Sequence, residues 1–416
     1  MIQLDDEAFR FGVATASLGM HPSHTMERKF AAMQQARIKY TEIGFAGYME
    51  WVRSMVPDLP RSTCPPDWCE GDEPDPSDEE IWRVMDTMAG EMLSLAKRYG
   101  LTILAVQPLN QFEGWPAGSV REEWGRRKAE RWLRLCSKLA VELIQVGSND
   151  KADANLDQAK TARDLHWLAE LGAKQTPVVK IAYESWCFSR NLDSWEQTWK
   201  VVQMADHPNL GLCLDTAQFP LAREYGWDPV TGSASGWTTE QSTACLERLK
   251  TVPAEKIFYV EISDVLAPTV PLGKGSAFDA WRSRTQSPRG DAFVWAICGR
   301  PVPLVGKDAG RSVRSQEDYG GARVVDALSA ILSTGYRGES GAIEVSEAIE
   351  GFGAIEVGDI YAVREADQED TAGPMLYEVF EAVSMEKDDG VPEVYAAACA
   401  ESQRKLMEML RAYPQQ

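Results

Sequence analysis

The feature that most constrains this chain is an alternation. Short, mostly apolar runs rich in β-branched and aromatic residues recur between longer segments whose apolar residues have helical spacing. The runs are FGVATASL (11–18), YTEIGF (40–45), LTILAVQPL (101–109), ELIQVGSN (142–149), VVKIAYES (178–185), LGLCLDT (210–216) and KIFYVEIS (256–263), and an eighth lies nearer the C-terminus. Strands that are apolar on both faces belong to parallel sheets covered by helices. Segments such as HTMERKFAAMQQARI, LDQAKTARDLHWLAELGAK and SWEQTWKVVQMAD supply the covering layer. Eight such units predict an α/β fold closed into a (β/α)8 TIM barrel.

Three of the runs end in an acid: Glu184, Asp215 and Glu261. A fourth acid, Glu378, lies in the last apolar run, MLYEVFEA (375–382). Carboxylates at the C-terminal ends of parallel barrel strands converge on the face where the βα loops build active sites. Oxygen ligands of this kind predict a divalent metal, Mg or Mn and less selectively Co or Zn, able to polarise a carbonyl or hydroxyl. The eighth strand has two candidates, because GAIEVSEA (341–348) with Glu344 precedes the run that carries Glu378. Reading 339–372 as an insertion makes Glu378 the ligand and leaves Glu344 as its rival.

Residues 1–416 read as a single catalytic domain, with 44% hydrophobic residues to fill its core and a Pro-rich acidic excursion at 57–80. The net charge of −20 repels phosphate backbones and anionic membranes, so neither nucleic acid nor a membrane is expected as a partner. MIQLDDEAFRFG has no basic or apolar leader character, and no stretch approaches the roughly 20 apolar residues of a membrane span. A soluble, cytoplasmic protein is expected, with a homo-oligomer left open. The eight cysteines are scattered, which predicts reduced thiols, and Cys64 and Cys69 lack the further ligands of a zinc set. Trp186, Trp195 and Trp199 read as packing residues, His166 and His207 as surface or packing residues. Asp264 either orients a ligand or opens a loop. GKGSAF (273–278) lacks the spacing of a phosphate-binding loop.

The segments QPLNQFEGW, RRKAERWLRLCSKLAVELIQVGSN, IAYESW, NLGLCLDTAQF, YVEISD, TGYRG and YEVFEAVSMEKDD, with residues 295–300, resemble fungal 3-dehydroshikimate dehydratases. That family sits among the xylose isomerase-like barrels, with the sugar isomerases and epimerases. The resemblance runs from about 11 to 411 and breaks at 57–80 and 339–372. It implies a Mg, Mn or Co ion, with Glu184, Asp215 and Glu378 matching family ligands and Glu261 standing where the family usually has Gln or His. It also implies a histidine three residues after the metal Asp, a place held here by Gln218, which cannot act as a general base. His21 and His24, in GMHPSHTM, resemble the family loop that brings histidine to the pocket. Arg300 falls five residues after Trp295, where a family arginine stands, and Ile297 replaces a second one.

Dehydrating a β-hydroxy ketone requires carbonyl polarisation, removal of an α-proton and help for the departing hydroxyl. Arg300 would clamp a substrate carboxylate with its planar fork, and His21 or His24 would move protons. The substrate expected is a polyhydroxylated cyclic acid or a sugar. Three functions follow: a metal-dependent lyase acting on 3-dehydroshikimate or a relative of it, an isomerase or epimerase in which a carboxylate serves as base, and a barrel kept for binding. A nuclease of this fold is set aside, because its multi-zinc site needs more histidines than the strand ends offer.

Overall fold

The computed structural model describes residues 9–59, 78–151, 154, 157–266, 272–285, 290–305, 321–336 and 373–412. Eight parallel strands close a barrel: β1 (Phe9–Ala14), β2 (Tyr40–Gly44), β3 (Thr102–Gln107), β4 (Leu143–Gly147), β5 (Lys180–Glu184), β6 (Leu210–Asp215), β7 (Ile257–Ile262) and β8 (Gly373–Tyr377). Each pairs with its sequence neighbours, and β8 closes on β1 with Phe9 opposite Gly373 and Val13 opposite Tyr377. The expected first strand is shorter than its apolar run, because residues 15–18 turn into a short 3₁₀ helix. Residues 78–80, expected in the acidic excursion, instead open the helix Asp78–Arg98. The rest of that excursion from 60 to 77, Cys64 and Cys69, and 339–372 with Glu344 lie outside the described residues.

Strand periodicity sorts the side chains into two cores. Residues pointing outward, among them Val13, Ile43, Val146, Ile181, Leu214, Val260 and Tyr377, pack under the helices in one large apolar cluster. Ala105, Leu143, Ala182, Cys213, Tyr259 and Leu376 point inward and form a separate apolar layer inside the barrel. Two residues further along each strand, the same inward direction carries Gln107, Gln145, Glu184, Asp215, Glu261 and Glu378. Glu42 holds the equivalent place on β2, two residues beyond Tyr40, which packs against the inner layer. The barrel is thus filled below and polar above, and every member of the polar ring is buried.

The outer helices begin where the sequence offers caps. Thr25, Ser119, Asp157 and Thr238 accept backbone N–H bonds at the starts of the helices Met26–Gln35, Val120–Lys138, Gln158–Ala173 and Thr239–Leu249. No helix among the described residues is long and apolar enough to cross a membrane.

Candidate metal centre and active site

Carboxylate oxygens of Glu184, Asp215, Glu261 and Glu378 all lie within 4.8 Å of one another. Strand register explains the convergence: Asp215 stands opposite Glu261, and Glu261 opposite Leu376, two residues before Glu378. The four acids named from the sequence are therefore brought together, and Glu378 follows the strand that closes the barrel.

Arg300 lies inside this cluster and is 4% exposed. Its Nη2 is 2.5 Å from Asp215 Oδ2 and donates to Glu378 Oε2 at 2.6 Å and to the Glu378 carbonyl at 2.9 Å. Its Nε donates to Ser263 Oγ at 3.1 Å, and Ser263 in turn donates to Asp215 Oδ1 at 3.3 Å. A two-way backbone bridge to Phe380 anchors the residue, and the guanidinium stacks 5.2 Å from the Phe380 ring. Burial works against its charge, but Asp215, Glu378, Glu184 and Glu261 outweigh burial and raise its pKa above the usual arginine value.

The remaining carboxylates are oriented by neutral donors. Gln145 Nε2 and Trp186 Nε1, the latter at 2.7 Å, both donate to Glu184 Oε2. The Tyr259 hydroxyl donates to Glu261 Oε1 at 2.7 Å, and Gln107 Nε2 to Glu378 Oε1 at 3.3 Å. Glu184 Oε1 and Glu261 Oε2 are buried with no partner. Burial raises the pKa of Glu184 and Glu261 well above the carboxylate range, and the neighbouring Glu378 adds to the rise in both. Asp215 is pushed up to about 6 by burial, a rise that Arg300 opposes and Glu378 reinforces.

Glu42 is a fifth buried acid that the sequence reading missed. Neither of its oxygens makes a hydrogen bond of good geometry, although the Gln107 amide and the Tyr259 hydroxyl lie close enough to favour its charge. Burial first and Glu378 second raise its pKa well above normal. Gln107, Gln145, Tyr259 and Ser263 were missed as well. The signal for Gln107 was present, since it ends β3, whereas Glu42 and Gln145 sit in the middle of five-residue strands.

Gln218 lies beside these acids: its Nε2 donates to Asp215 Oδ2 at 3.3 Å and its Oε1 accepts the Cys187 N–H at 2.8 Å. His21 and His24 lie on the loop after β1, on the same face of the barrel. His24 Nδ1 accepts the His21 N–H at 3.2 Å, His21 Nδ1 meets Ser23 Oγ at 2.9 Å, and Asp388 stands 3.5 Å from that nitrogen. None of these hydrogen bonds joins the two rings to the carboxylates. Trp186 does more than pack, since its indole N–H bonds Glu184 and its ring lies against the backbone of Gly147, where an added Cβ would fall 2.0 Å from it. Asp264 fastens a loop, its Oδ1 accepting the N–H groups of Val265 and Ala322.

A family described as the xylose isomerase-like TIM barrel matches residues 66–287, just over half of the 416. The chain belongs to the xylose isomerase-like TIM barrels. Among curated relatives of this xylose isomerase-like chain, the 3-dehydroshikimate dehydratase of Neurospora crassa is 33% identical over 200 residues, covering 46% of this chain and 53% of that protein. The 3-dehydroshikimate dehydratase of Pseudomonas aeruginosa is 30% identical over 241 residues, covering 58% of this chain and 28% of that protein. The chain thus matches about half, or less, of the length of these relatives. A solved xylose isomerase-like TIM barrel/4-hydroxyphenylpyruvate dioxygenase fusion protein superposes with a TM-score of 0.57 at 20% identity, covering 97% of this chain and 43% of that one. The IOLI protein, crystallised with a zinc atom, superposes at 0.52 and 14% identity, covering 98% of this chain and 100% of that one. At such identities the two structures share the fold.

Proposed function

We propose that this barrel is a divalent-metal-dependent lyase that dehydrates a polyhydroxylated cyclic acid, with 3-dehydroshikimate the first candidate. The supporting observation is the buried cluster of four carboxylates within 4.8 Å, in a chain 33% identical over 200 residues to a dehydratase of that name. The donor set fits a cation, because Glu184 Oε1 and Glu261 Oε2 are buried with no hydrogen-bond donor to satisfy them. Glu184, Asp215, Glu261 and Glu378 would hold the ion, whose chemistry is to polarise a substrate carbonyl and stabilise charge on its oxygen.

The protein's own groups supply the rest. With Nη2 committed to Asp215 and Glu378, Arg300 places a fixed positive charge beside the reacting centre in addition to any part in clamping a carboxylate. Glu42, whose pKa burial and then Glu378 raise well above the usual carboxylate value, is assigned the donation to the departing hydroxyl. His21 is assigned proton abstraction, because Ser23 fixes its Nδ1 and leaves Nε2 as the reacting atom. Gln218 orients Asp215 and takes no proton.

A second reading, isomerase or epimerase chemistry, is supported by Glu261, whose Oε2 has no partner and could serve as a carboxylate base. Turnover of 3-dehydroshikimate, followed by the ultraviolet absorbance of the aromatic catechol acid, separates the two. Product that disappears with chelator and returns with Mg, Mn or Co supports the lyase. Stoichiometric bound metal without product overturns it and leaves the isomerase reading to be tested with sugars.

A further inference from the structure

Away from the metal centre, another buried carboxylate is left without a counter-charge. Glu113 lies on the loop after β3 and is 2% exposed. Its Oε1 accepts the Asn149 N–H at 2.7 Å and the Tyr183 hydroxyl at 2.9 Å, and its Oε2 is buried with no hydrogen-bond partner. The cations nearby serve other acids. Lys160 pairs with Asp164 and, at 2.8 Å, with Glu122, to which Arg126 adds a second contact at 3.5 Å. Among the described residues no lysine, arginine or histidine forms an ion pair with Glu113, and Asp164, which accepts the Gly114 N–H at 2.9 Å, adds a like charge beside it.

Glu113 also lines a cavity of about 10 Å³, the space that one water-sized particle occupies. Side chains with oxygen atoms share its wall: Asn149 after β4, Ser189 and Asn191 after β5, and Thr161 on the helix Gln158–Ala173. A buried carboxylate needs its charge cancelled. A water molecule would donate a hydrogen bond and leave the charge, while a divalent ion such as Mg²⁺ keeps several waters that this cavity has no room for. Burial first and Asp164 in addition push Glu113 up to about 7, so above that pH a proton no longer cancels the charge.

We propose that this cavity binds a dehydrated monovalent cation about the size of a water molecule, potassium or ammonium, held by Glu113 and the side-chain oxygens around it. The site shares no residue with the four clustered acids, so it stands whether or not the lyase reading does. Its place in the fold suggests what it is for, since it joins the loops that follow three successive strands. Asn149 Nδ2 donates to the Glu113 carbonyl at 2.7 Å, and Ser189 Oγ donates to the Asn149 carbonyl at 3.0 Å. The loop that carries Ser189 leaves β5 through Trp186, whose indole N–H holds Glu184. A cation seated here stiffens the segment that orients one member of the carboxylate cluster.

Thermal unfolding of the full chain at about pH 8, in chloride salts of matched ionic strength, tests the site. Potassium and ammonium should raise the midpoint in a saturable way, and lithium and choline should not. Glu113→Gln, which keeps the shape and removes the charge, should raise the half-saturating potassium concentration by at least about tenfold, whereas Glu261→Gln should leave it unchanged. The potassium effect should fade as pH falls through about 7, where a proton takes the cation's place on Glu113. Equal midpoints in potassium, lithium and choline, or a potassium effect that survives Glu113→Gln, overturns the proposal and leaves water as the occupant; neither result touches the divalent-metal reading. Equilibrium dialysis of the unsubstituted protein, with potassium measured by atomic emission, should find one equivalent bound, and none bound overturns the site even if the glutamine variant fails to fold.

Discussion

Asp215→Asn changes how the stability of the metal-free protein depends on pH, and the structure sets both the sign and the size. In the folded chain the Asp215 carboxyl is raised from 3.8 to about 6, by burial in the first place. The folded state therefore holds this proton over a range in which the unfolded state has lost it. Stability falls with pH wherever the folded state binds more protons, so the contribution of Asp215 is fully present below about pH 4 and is lost as pH rises through about 6. The rise from 3.8 to about 6 corresponds to roughly 3 kcal/mol. Urea unfolding in chelator, run on the wild type and on Asp215→Asn at several pH values, isolates this group. The offset between the two proteins at acid pH, where both side chains at position 215 are neutral, reports the exchange of a carboxylic acid for an amide, and its change with pH reports the titration. Across the window the asparagine variant should gain roughly 3 kcal/mol relative to the wild type. A difference that stays constant, or that moves the other way, refutes the account of a carboxyl held protonated by burial.

Arg300→Met leaves Asp215 and Glu378 buried without their shared cation, so it should destabilise the chelated protein by about 3–5 kcal/mol, with added divalent metal recovering part of the loss in the same denaturation assay. Gly147→Ala sets a methyl group 2.0 Å from the Trp186 ring, and should cost about 1–3 kcal/mol and draw the indole N–H away from Glu184, seen as a shift in tryptophan fluorescence together with weaker metal binding. Glu184→Gln removes one of the four clustered carboxylates and should abolish both metal binding and turnover; full activity in that variant would sink the site assignment.

Much of this barrel was legible because its signal is local. Seven strands fell on apolar runs, and period-two alternation carried Glu184, Asp215, Glu261 and Glu378 to one face without any knowledge of distances. The errors were at the edges, where local signal fails: residues 15–18 are apolar enough for a strand but turn, and Asp78–Glu80 are polar enough for a loop but open a helix. Arg300 could be placed near the acids by resemblance, yet its pairing depends on an antiparallel bridge to Phe380, a contact eighty residues away that no spacing reveals. Glu42 was missed for the opposite reason. It sits in YTEIGF, a strand read correctly, but a single acid in a short run looks the same whether it points into the barrel or out to a helix until the register with Ala14 and Ala105 is known.

That fifth acid also explains why so costly an arrangement is coherent. Glu42, Glu184, Asp215, Glu261 and Glu378 share one buried polar layer with a single guanidinium, and burial makes five simultaneous negative charges there prohibitive. Only protons or cations can make up the deficit. In the chelated protein the protons do so, which is why Glu42, Glu184 and Glu261 are raised well above the carboxylate range and Asp215 to about 6. A divalent ion would displace them from Glu184 and Glu261, each of which has an oxygen buried without a donor, while Glu42 is not one of the four clustered acids. The same imbalance that lowers the stability of the metal-free barrel at neutral pH would thus favour the binding of a cation among these carboxylates.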